Sequence, residues 1–256
     1  MKKMMRLYKK KGQHLLKDLN IARREVEYAD LSNKDIVLEI GPGNGVLTRL
    51  LAKKAKKVIA VEIDERFIKL LKDRLPKNVT LIHADILNLD FKNLPWFNKI
   101  VSNLPFNISS EITFKVLEQK FDLAILMYQK EFAERMIAKP GSKKYSRLSV
   151  AVYYKSKCEI LETVSREKFY PRPKVDCCIV KLVPRTKKPF KLYDEKLFEN
   201  VTKILFMHRR KKIGKVLSSF YDKNLITNIP YLDRRVDSLS PGQIGEIANK
   251  LYNSLC

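Results

Sequence analysis

The chain is short of cysteine, histidine and acidic side chains, and each shortage excludes a class of protein. Its four cysteines form no CxxC pair and only three histidines accompany them, so the sequence predicts neither a zinc site nor a disulfide framework. No run of about 18 apolar residues occurs, which argues against a membrane-spanning helix. The basic N-terminal stretch lacks the apolar segment of a secretory signal. We therefore expect a cytoplasmic, monomeric enzyme with no metal ion and no membrane partner.

Basic side chains outnumber acidic ones by a wide margin. Lysine and arginine total 52 against 28 aspartates and glutamates, a formal net charge of +24. Proteins from heat-adapted cells also have lysine-rich surfaces, but they are enriched in glutamate as well. In this chain the acidic residues are far fewer than the basic ones. Basic side chains in such excess repel one another unless a polyanion is bound. The composition predicts a nucleic-acid partner, with an anionic membrane as the alternative.

Short apolar runs alternate with helical patterns through the first two-thirds of the chain. Five runs read as strands: 36–40, 58–63, 79–83, 99–102 and 123–127. Helical segments such as 46–54 and 65–75 separate them, and this alternation predicts an α/β fold with a parallel, doubly wound sheet. Two further runs, 150–154 and 177–183, are expected to form a terminal hairpin.

The pattern changes after a polar, proline-bounded linker at 184–189. Beyond it, apolar residues recur only at helical spacing, as at Leu197, Val201, Ile204 and Leu205. We therefore predict a catalytic domain over residues 1–184 and a small helical domain over residues 191–256.

A glycine-containing turn follows the first predicted strand. Gly41, Gly43 and Gly45 let the backbone approach a ligand closely where a helix begins. The spacing G-x-G-x-G differs from the dinucleotide-binding pattern G-x-G-x-x-G. Glu39, just before the turn, would repel a phosphate but suits a cation.

Acidic residues also end the next two strands. Glu62 lies 21 positions after Gly41, where a carboxylate accepts hydrogen bonds from ribose hydroxyls. Asp85 can accept from an adenine amine, with the apolar neighbours Ile63 and Ile86 against the ligand. Each acid alone fits a helix N-cap or a solvated strand end equally well. Together they describe an adenosine with a positive centre and no phosphate, which fits S-adenosylmethionine and not NAD.

The fourth strand ends in Asn103-Leu104-Pro105-Phe106, which resembles the Asn/Asp-Pro/Leu-Pro-Tyr/Phe motif of amino-group methyltransferases. Other segments appear in the order typical of the ribosomal RNA adenine dimethyltransferase (KsgA-type) family, and the chain resembles that family over about residues 10–184. These segments are 12–16, 39–45, 129–131, 140–149 and 169–176. The tail around 206–212 is similar but looser. The resemblance implies a Rossmann-like, S-adenosylmethionine-dependent methyltransferase domain followed by a helical domain.

The resemblance also implies roles for individual residues. Cofactor contacts are expected at His14, Leu16, Gly41, Glu62, Asp85 and Asn103. The Asn103 side-chain oxygen and the Leu104 carbonyl would accept the two hydrogens of an adenine amine, and Pro105 would fix the backbone. Phe106 would stack on the base, although the motif more commonly ends in tyrosine. Phe169 would cover the opposite face of the base.

Two basic segments are candidates for gripping RNA phosphates. They are Lys143, Lys144 and Arg147 in one loop, and Arg209, Arg210, Lys211 and Lys212 further on. The resemblance implies N6,N6-dimethylation of two adjacent adenosines near the 3′ end of small-subunit ribosomal RNA, during assembly of the small subunit. The alternatives are a protein glutamine methyltransferase, an RNA-binding assembly factor with secondary methylation, and a sister enzyme for large-subunit RNA.

Overall fold

The computed structural model describes residues 12–255, which form two compact units. The first contains residues 12–133 and 157–184, and the second contains residues 134–156 and 185–255. The strands are β1 (Leu15–Leu16), β2 (Ile36–Ile40), β3 (Lys57–Glu62), β4 (Val79–His83), β5 (Lys99–Asn103), β6 (Leu123–Gln129), β7 (Ser156–Val164), β8 (Phe169–Tyr170) and β9 (Cys177–Pro184). The helices are α1 (Leu19–Tyr28), α2 (Val46–Ala52), α3 (Glu65–Leu71), α4 (Ser109–Leu117), α5 (Lys130–Met136), α6 (Arg147–Lys155), α7 (Glu195–Met207), α8 (Ile213–Leu217), α9 (Lys223–Ile226) and α10 (Pro241–Leu255).

In the described part of the chain, seven strands form one mixed sheet in the order β4-β3-β2-β5-β6-β9-β7. The five strands from β4 to β6 are parallel, and β9 pairs with β6 in the antiparallel sense. Leu38 in the middle of β2 is paired with Ile59 on one side and with Ile100 on the other. All three side chains are fully buried, as expected for continuous apolar strands covered on both faces. The predicted α/β, Rossmann-like architecture is confirmed.

The expected hairpin between 150–154 and 177–183 is wrong in its first strand. Residues 150–154 lie inside helix α6, and β9 is flanked by β7 instead. The apolar side chains of Val150, Val152 and Tyr154 alternate as in a strand, which explains the error. A capping box at the N-terminus of α6 stabilises the helical conformation. In it, the Ser146 backbone N–H donates to the Ser149 hydroxyl at 3.0 Å.

The second unit is built from helices around its own apolar core. Val201, Leu205, Ile244 and Ile247 of α7 and α10 are completely buried there. The same core includes Tyr145, Val150 and Tyr154. Because these side chains pack on α7, the segment 134–156 belongs to the helical unit, whereas the sequence had placed it in a continuous domain over 1–184. Among residues 12–255, no helix combines the length and apolarity needed to cross a membrane.

Candidate active site

A cavity of about 270 Å³ lies at the carboxyl ends of the parallel strands β2, β3 and β5, beyond the end of β4. This edge of an open α/β sheet is where such folds bind ligands. Eight predicted cofactor contacts line the cavity: His14, Leu16, Gly41, Gly43, Glu62, Ile63, Asp85 and Asn103. The motif residues Leu104 and Pro105 line it as well. Ile86 is 4% exposed and is not among the cavity-lining residues of the described chain, so its predicted ligand contact is not seen.

The glycine turn between β2 and α2 is tied to the end of β3. Gly43 has a φ of 54°, and a Cβ atom on it would lie 2.7 Å from Leu15 Cδ2. The left-handed backbone therefore favours glycine, and a Cβ atom there would displace the Leu15 side chain. The Gly43 backbone N–H donates to Glu62 Oε2 at 3.1 Å. The turn and the carboxylate thus hold each other in place.

Glu62 is a buried carboxyl group with partners on both oxygens. Its Oε1 accepts from the Asp64 backbone N–H at 2.9 Å, while Oε2 accepts from Gly43. Burial raises the pKa of Glu62. A carboxylate offers about four acceptor positions, so Glu62 keeps capacity for ligand hydroxyls at the cavity wall.

Glu39 provides the strongest signal for a positively charged ligand. It lines the cavity and is 2% exposed, and burial raises its pKa to about 8. Within residues 12–255, its Oε2 atom is buried without a hydrogen-bond partner. A nearby cation would compensate this carboxylate, and a sulfonium centre therefore fits the residues present. No group of three or more His, Cys, Asp or Glu residues in the described chain could hold a metal ion.

Asp85 lines the cavity but also stabilises its own turn. Its Oδ1 accepts from the Leu87 backbone N–H at 2.9 Å, and its Oδ2 accepts from Asn88 Nδ2 at 2.9 Å. These contacts are those of an ordinary Asx turn. The role of Asp85 toward an adenine amine stays a prediction.

The Asn-Leu-Pro-Phe motif leaves the sheet at the end of β5. Asn103 Oδ1 is buried and has no hydrogen-bond partner among the residues that the structure describes, whereas its Nδ2 donates to Glu25 Oε2 at 3.2 Å. Pro105 has a φ of −61°, the value that its ring enforces. The Phe106 ring stacks on the His14 ring with centroids 5.4 Å apart. The motif thus places one unpaired acceptor at the cavity, whereas Phe106 is not among the cavity-lining residues of the described chain, and its stacking on a base stays a prediction.

Phe169 does not occupy the position that the resemblance assigned to it. It is 2% exposed, and its ring meets the Phe106 ring edge-on, with centroids 6.2 Å apart. Strands β1 and β8 form a separate two-stranded sheet, in which Leu16 pairs with Phe169. Nearby, His14 Nδ1 lies 2.5 Å from the Pro171 carbonyl. A ring so buried has no free face for a base. In this structure the edge-on contact with Phe106 is the aromatic contact of the Phe169 ring.

The second unit brings parts of the two basic segments together. Arg209 Nη1 donates to the Lys143 carbonyl at 2.7 Å, and Nη2 donates to the Ser142 carbonyl at 3.4 Å. Nearby, the Gly141 backbone N–H donates to the Asp237 carbonyl at 2.7 Å. Arg209 therefore stabilises the loop that carries Lys143, and its guanidinium is engaged within the protein.

The other basic residues differ in how freely they face solvent. Lys144 pairs with Glu134, and Lys212 pairs with Asp233 at 3.2 Å, but both lysines remain exposed. Arg147 is half-buried at the start of α6. The exposed basic residues of these segments are Lys143, Lys144, Arg210, Lys211 and Lys212.

Glu25, which contacts the cavity-lining Asn103, is one of the residues that the sequence interpretation missed. It lies on α1 and is fully buried, with its carboxyl group against Asn103. A signal was available, because Ile21, Ala22 and Val26 mark the apolar face of α1 and Glu25 falls on that face at helical spacing. Leu87 and Asn107 also line the cavity, and nothing in their sequence context indicated it.

The sheet order, the glycine turn and the acids at successive strand ends define a Rossmann-like methyltransferase of the S-adenosylmethionine-dependent class. The sequence profile of the family "Ribosomal RNA adenine dimethylase" matches residues 4–252. The chain belongs to this family.

Similar proteins agree with this assignment. The chain is 45% identical to the "Probable ribosomal RNA small subunit methyltransferase A" of Methanococcus maripaludis strain C6, covering 98% of this chain and 100% of that one. It is similar in structure to a dimethyladenosine transferase from Plasmodium falciparum, with a TM-score of 0.80, 29% identity, and coverage of 94% and 98% of the two chains. The 23S rRNA methyltransferase ErmE matches with a TM-score of 0.65 and 27% identity, over 93% and 99%.

Proposed function

We propose that this protein transfers methyl groups from S-adenosylmethionine to the N6 amines of two adjacent adenosines near the 3′ end of small-subunit ribosomal RNA. The observation that carries this proposal is Asn103 Oδ1, a buried acceptor at the cavity with no partner in the described part of the chain. Leaving such an atom unpaired costs about 1–3 kcal/mol. An amine hydrogen of a bound base would satisfy it.

The protein's contribution to the chemistry is to position a weak nucleophile. The lone pair of an adenine amine is delocalised into the ring. When Asn103 Oδ1 and the Leu104 carbonyl accept its two hydrogens, the lone pair turns toward the methyl donor, while Phe106 stacks on the base. Positioning of this kind supplies most of the barrier reduction. The target base must first leave its stack to reach the cavity.

The cofactor residues fit a sulfonium-bearing adenosine. Glu39 would offset the positive charge, and Glu62 would accept from the ribose hydroxyls. Asp85 would accept from the adenine amine. S-adenosylmethionine supplies an electrophilic methyl group when it is bound. This cavity is built from residues of the first compact unit alone.

The choice of RNA rests on charge and on the comparisons. A net charge of +24 and the exposed lysines and arginines of the second unit suit phosphate contacts. The relative that is 45% identical over 98% of this chain is named as a probable small-subunit ribosomal RNA methyltransferase, which supports small-subunit RNA as the substrate.

The experiment is transfer of labelled methyl groups to small ribosomal subunits that lack the modification, followed by nucleoside analysis. We expect label in N6,N6-dimethyladenosine of the small-subunit RNA. Label in large-subunit RNA or in protein glutamine would contradict the proposed substrate. Tight binding to the particle without transfer would instead identify an assembly factor.

A further inference from the structure

Glu25 is an acid in an environment that disfavours acids. It lies on the apolar face of α1 with Ile21, Ala22 and Val26, and its side chain is completely buried. Burial raises its pKa to about 8, and the neighbouring carboxyl groups of Glu39 and Glu162 act in the same direction. An apolar residue at this position would cost less free energy.

The contacts of Glu25 are too few for a structural carboxyl group. Buried acids that stabilise this fold have several donors, as for Asp35, whose oxygens accept from Ser32 and from Asn98. Among residues 12–255, Glu25 Oε1 has no hydrogen-bond partner. Glu25 Oε2 accepts from Asn103 Nδ2 at 3.2 Å. In the described chain, the hydrogen bond from the Asn103 amide is therefore the contact that Glu25 makes with a polar group.

This contact determines which way the Asn103 amide points. In the structure the amide turns its Nδ2 toward Glu25 Oε2, and a carboxyl oxygen that carries no proton can only accept from it. Its Oδ1 then points away from Glu25, and in the described chain this atom is the one left without a partner. The opposite orientation would place Nδ2 at the substrate side, where it could not accept an amine hydrogen.

We propose that Glu25 is a positioning residue for methyl transfer, which holds the Asn103 amide with Oδ1 directed to the substrate amine. This inference rests on the proposed function, because Asn103 must contact the reacting amine. It adds a residue on α1, outside the Asn-Leu-Pro-Phe motif, that sets the geometry of the motif.

The test compares substitutions of similar size. Glu25→Met removes the acceptor but keeps an unbranched chain, and Glu25→Gln keeps one acceptor oxygen. Glu27→Met, on the exposed side of the same helix, is the matched control. Each variant is measured for single-turnover methyl transfer at saturating S-adenosylmethionine, for S-adenosylmethionine affinity by calorimetry, and for melting temperature.

We expect Glu25→Met to slow transfer about tenfold, the scale of a slightly misplaced reacting group. Its cofactor affinity should stay within twofold of wild type and its melting temperature should be unchanged or higher. Glu25→Gln should stay within about threefold of the wild-type rate, and Glu27→Met should match wild type. In an Asn103→Ala background, Glu25→Met should cause no further loss. If Glu25→Met fails to fold, Glu25→Ala repeats the comparison.

Two results would overturn the inference while leaving the proposed function intact. One is a full rate for Glu25→Met when Asn103→Ala is slow. The other is an equal loss for Glu25→Met and Glu25→Gln together with a lower melting temperature, which would make Glu25 a folding residue. A full rate for Asn103→Ala would instead overturn the proposed role of Asn103, and the inference with it.

Discussion

Replacement of Glu62 by alanine should damage both the cofactor site and the turn that forms it. The side chain accepts from the backbone N–H groups of Gly43 at 3.1 Å and Asp64 at 2.9 Å. Without it, two buried donors lose their partners, at about 1–3 kcal/mol each. We therefore expect the free energy of unfolding to fall by about 2–6 kcal/mol.

The same change should weaken S-adenosylmethionine binding. Loss of a charged acceptor for a ligand hydroxyl costs about 1.5–3 kcal/mol, which corresponds to about a 10- to 150-fold higher Kd. Isothermal titration calorimetry on the folded variant measures the affinity, and urea unfolding measures the stability.

The control is Glu65→Ala, which removes an acid from the start of α3, close to Glu62 in the chain. Glu65 pairs with Lys69 at 2.7 Å on the surface, where the two side chains are 64% and 73% exposed. Such a pair contributes less than about 1 kcal/mol, so both measurements should stay close to wild type. Unchanged affinity in folded Glu62→Ala, or an equal loss in Glu65→Ala, would refute the reasoning.

Two further predictions concern pH and RNA binding. Burial holds the pKa values of Glu25 and Glu39 at about 8, against 4.5 for an ordinary glutamate. The folded protein therefore binds these protons more tightly than the unfolded chain. Its free energy of unfolding should fall as the pH rises from about 5 to about 8. Urea unfolding of the double Glu-to-Gln variant should show a flatter profile, and an unaltered profile would contradict this assignment. Arg210→Ala with Lys211→Ala should lower the slope of log affinity against log salt by up to about 2 without changing the melting temperature. Arg209→Ala should lower the melting temperature because two loop carbonyls lose their donor. A lower salt slope for Arg209→Ala, together with a lower melting temperature for the Arg210→Ala and Lys211→Ala variant, would show that Arg209 is the phosphate contact.

Local sequence signals predicted the sheet and the cavity well because each signal was independent of distant contacts. The parallel strands β2 to β6 are continuous apolar runs. Glu39 and Glu62 lie at the ends of two of them and Asp85 follows a third, at the edge where such sheets bind ligands. The resemblance to a known family added His14 and Leu16, which reach the cavity from outside the sheet.

The errors lie where tertiary contacts decide. Residues 150–154 alternate like a strand, but a capping box and packing on α7 make them a helix. Phe169 was assigned to a substrate face, and its pairing with Leu16 buries it instead. Arg209 looked like a surface cation, although its partners are carbonyl groups 66 and 67 residues away. Glu25 was missed although it lies on the apolar face of α1, because its partner Asn103 on β5 is 78 residues away in the chain.

The central claim is that the Asn103 side chain orients an amine of RNA for methyl transfer. Its most direct test is single-turnover methylation of small ribosomal subunits by Asn103→Ala at saturating S-adenosylmethionine, with particle binding measured in parallel. The account predicts that transfer slows by a factor of about a hundred or more, while particle binding changes little because many phosphate contacts remain. Near-normal transfer by this variant, or equal losses of transfer and binding, would contradict the claim.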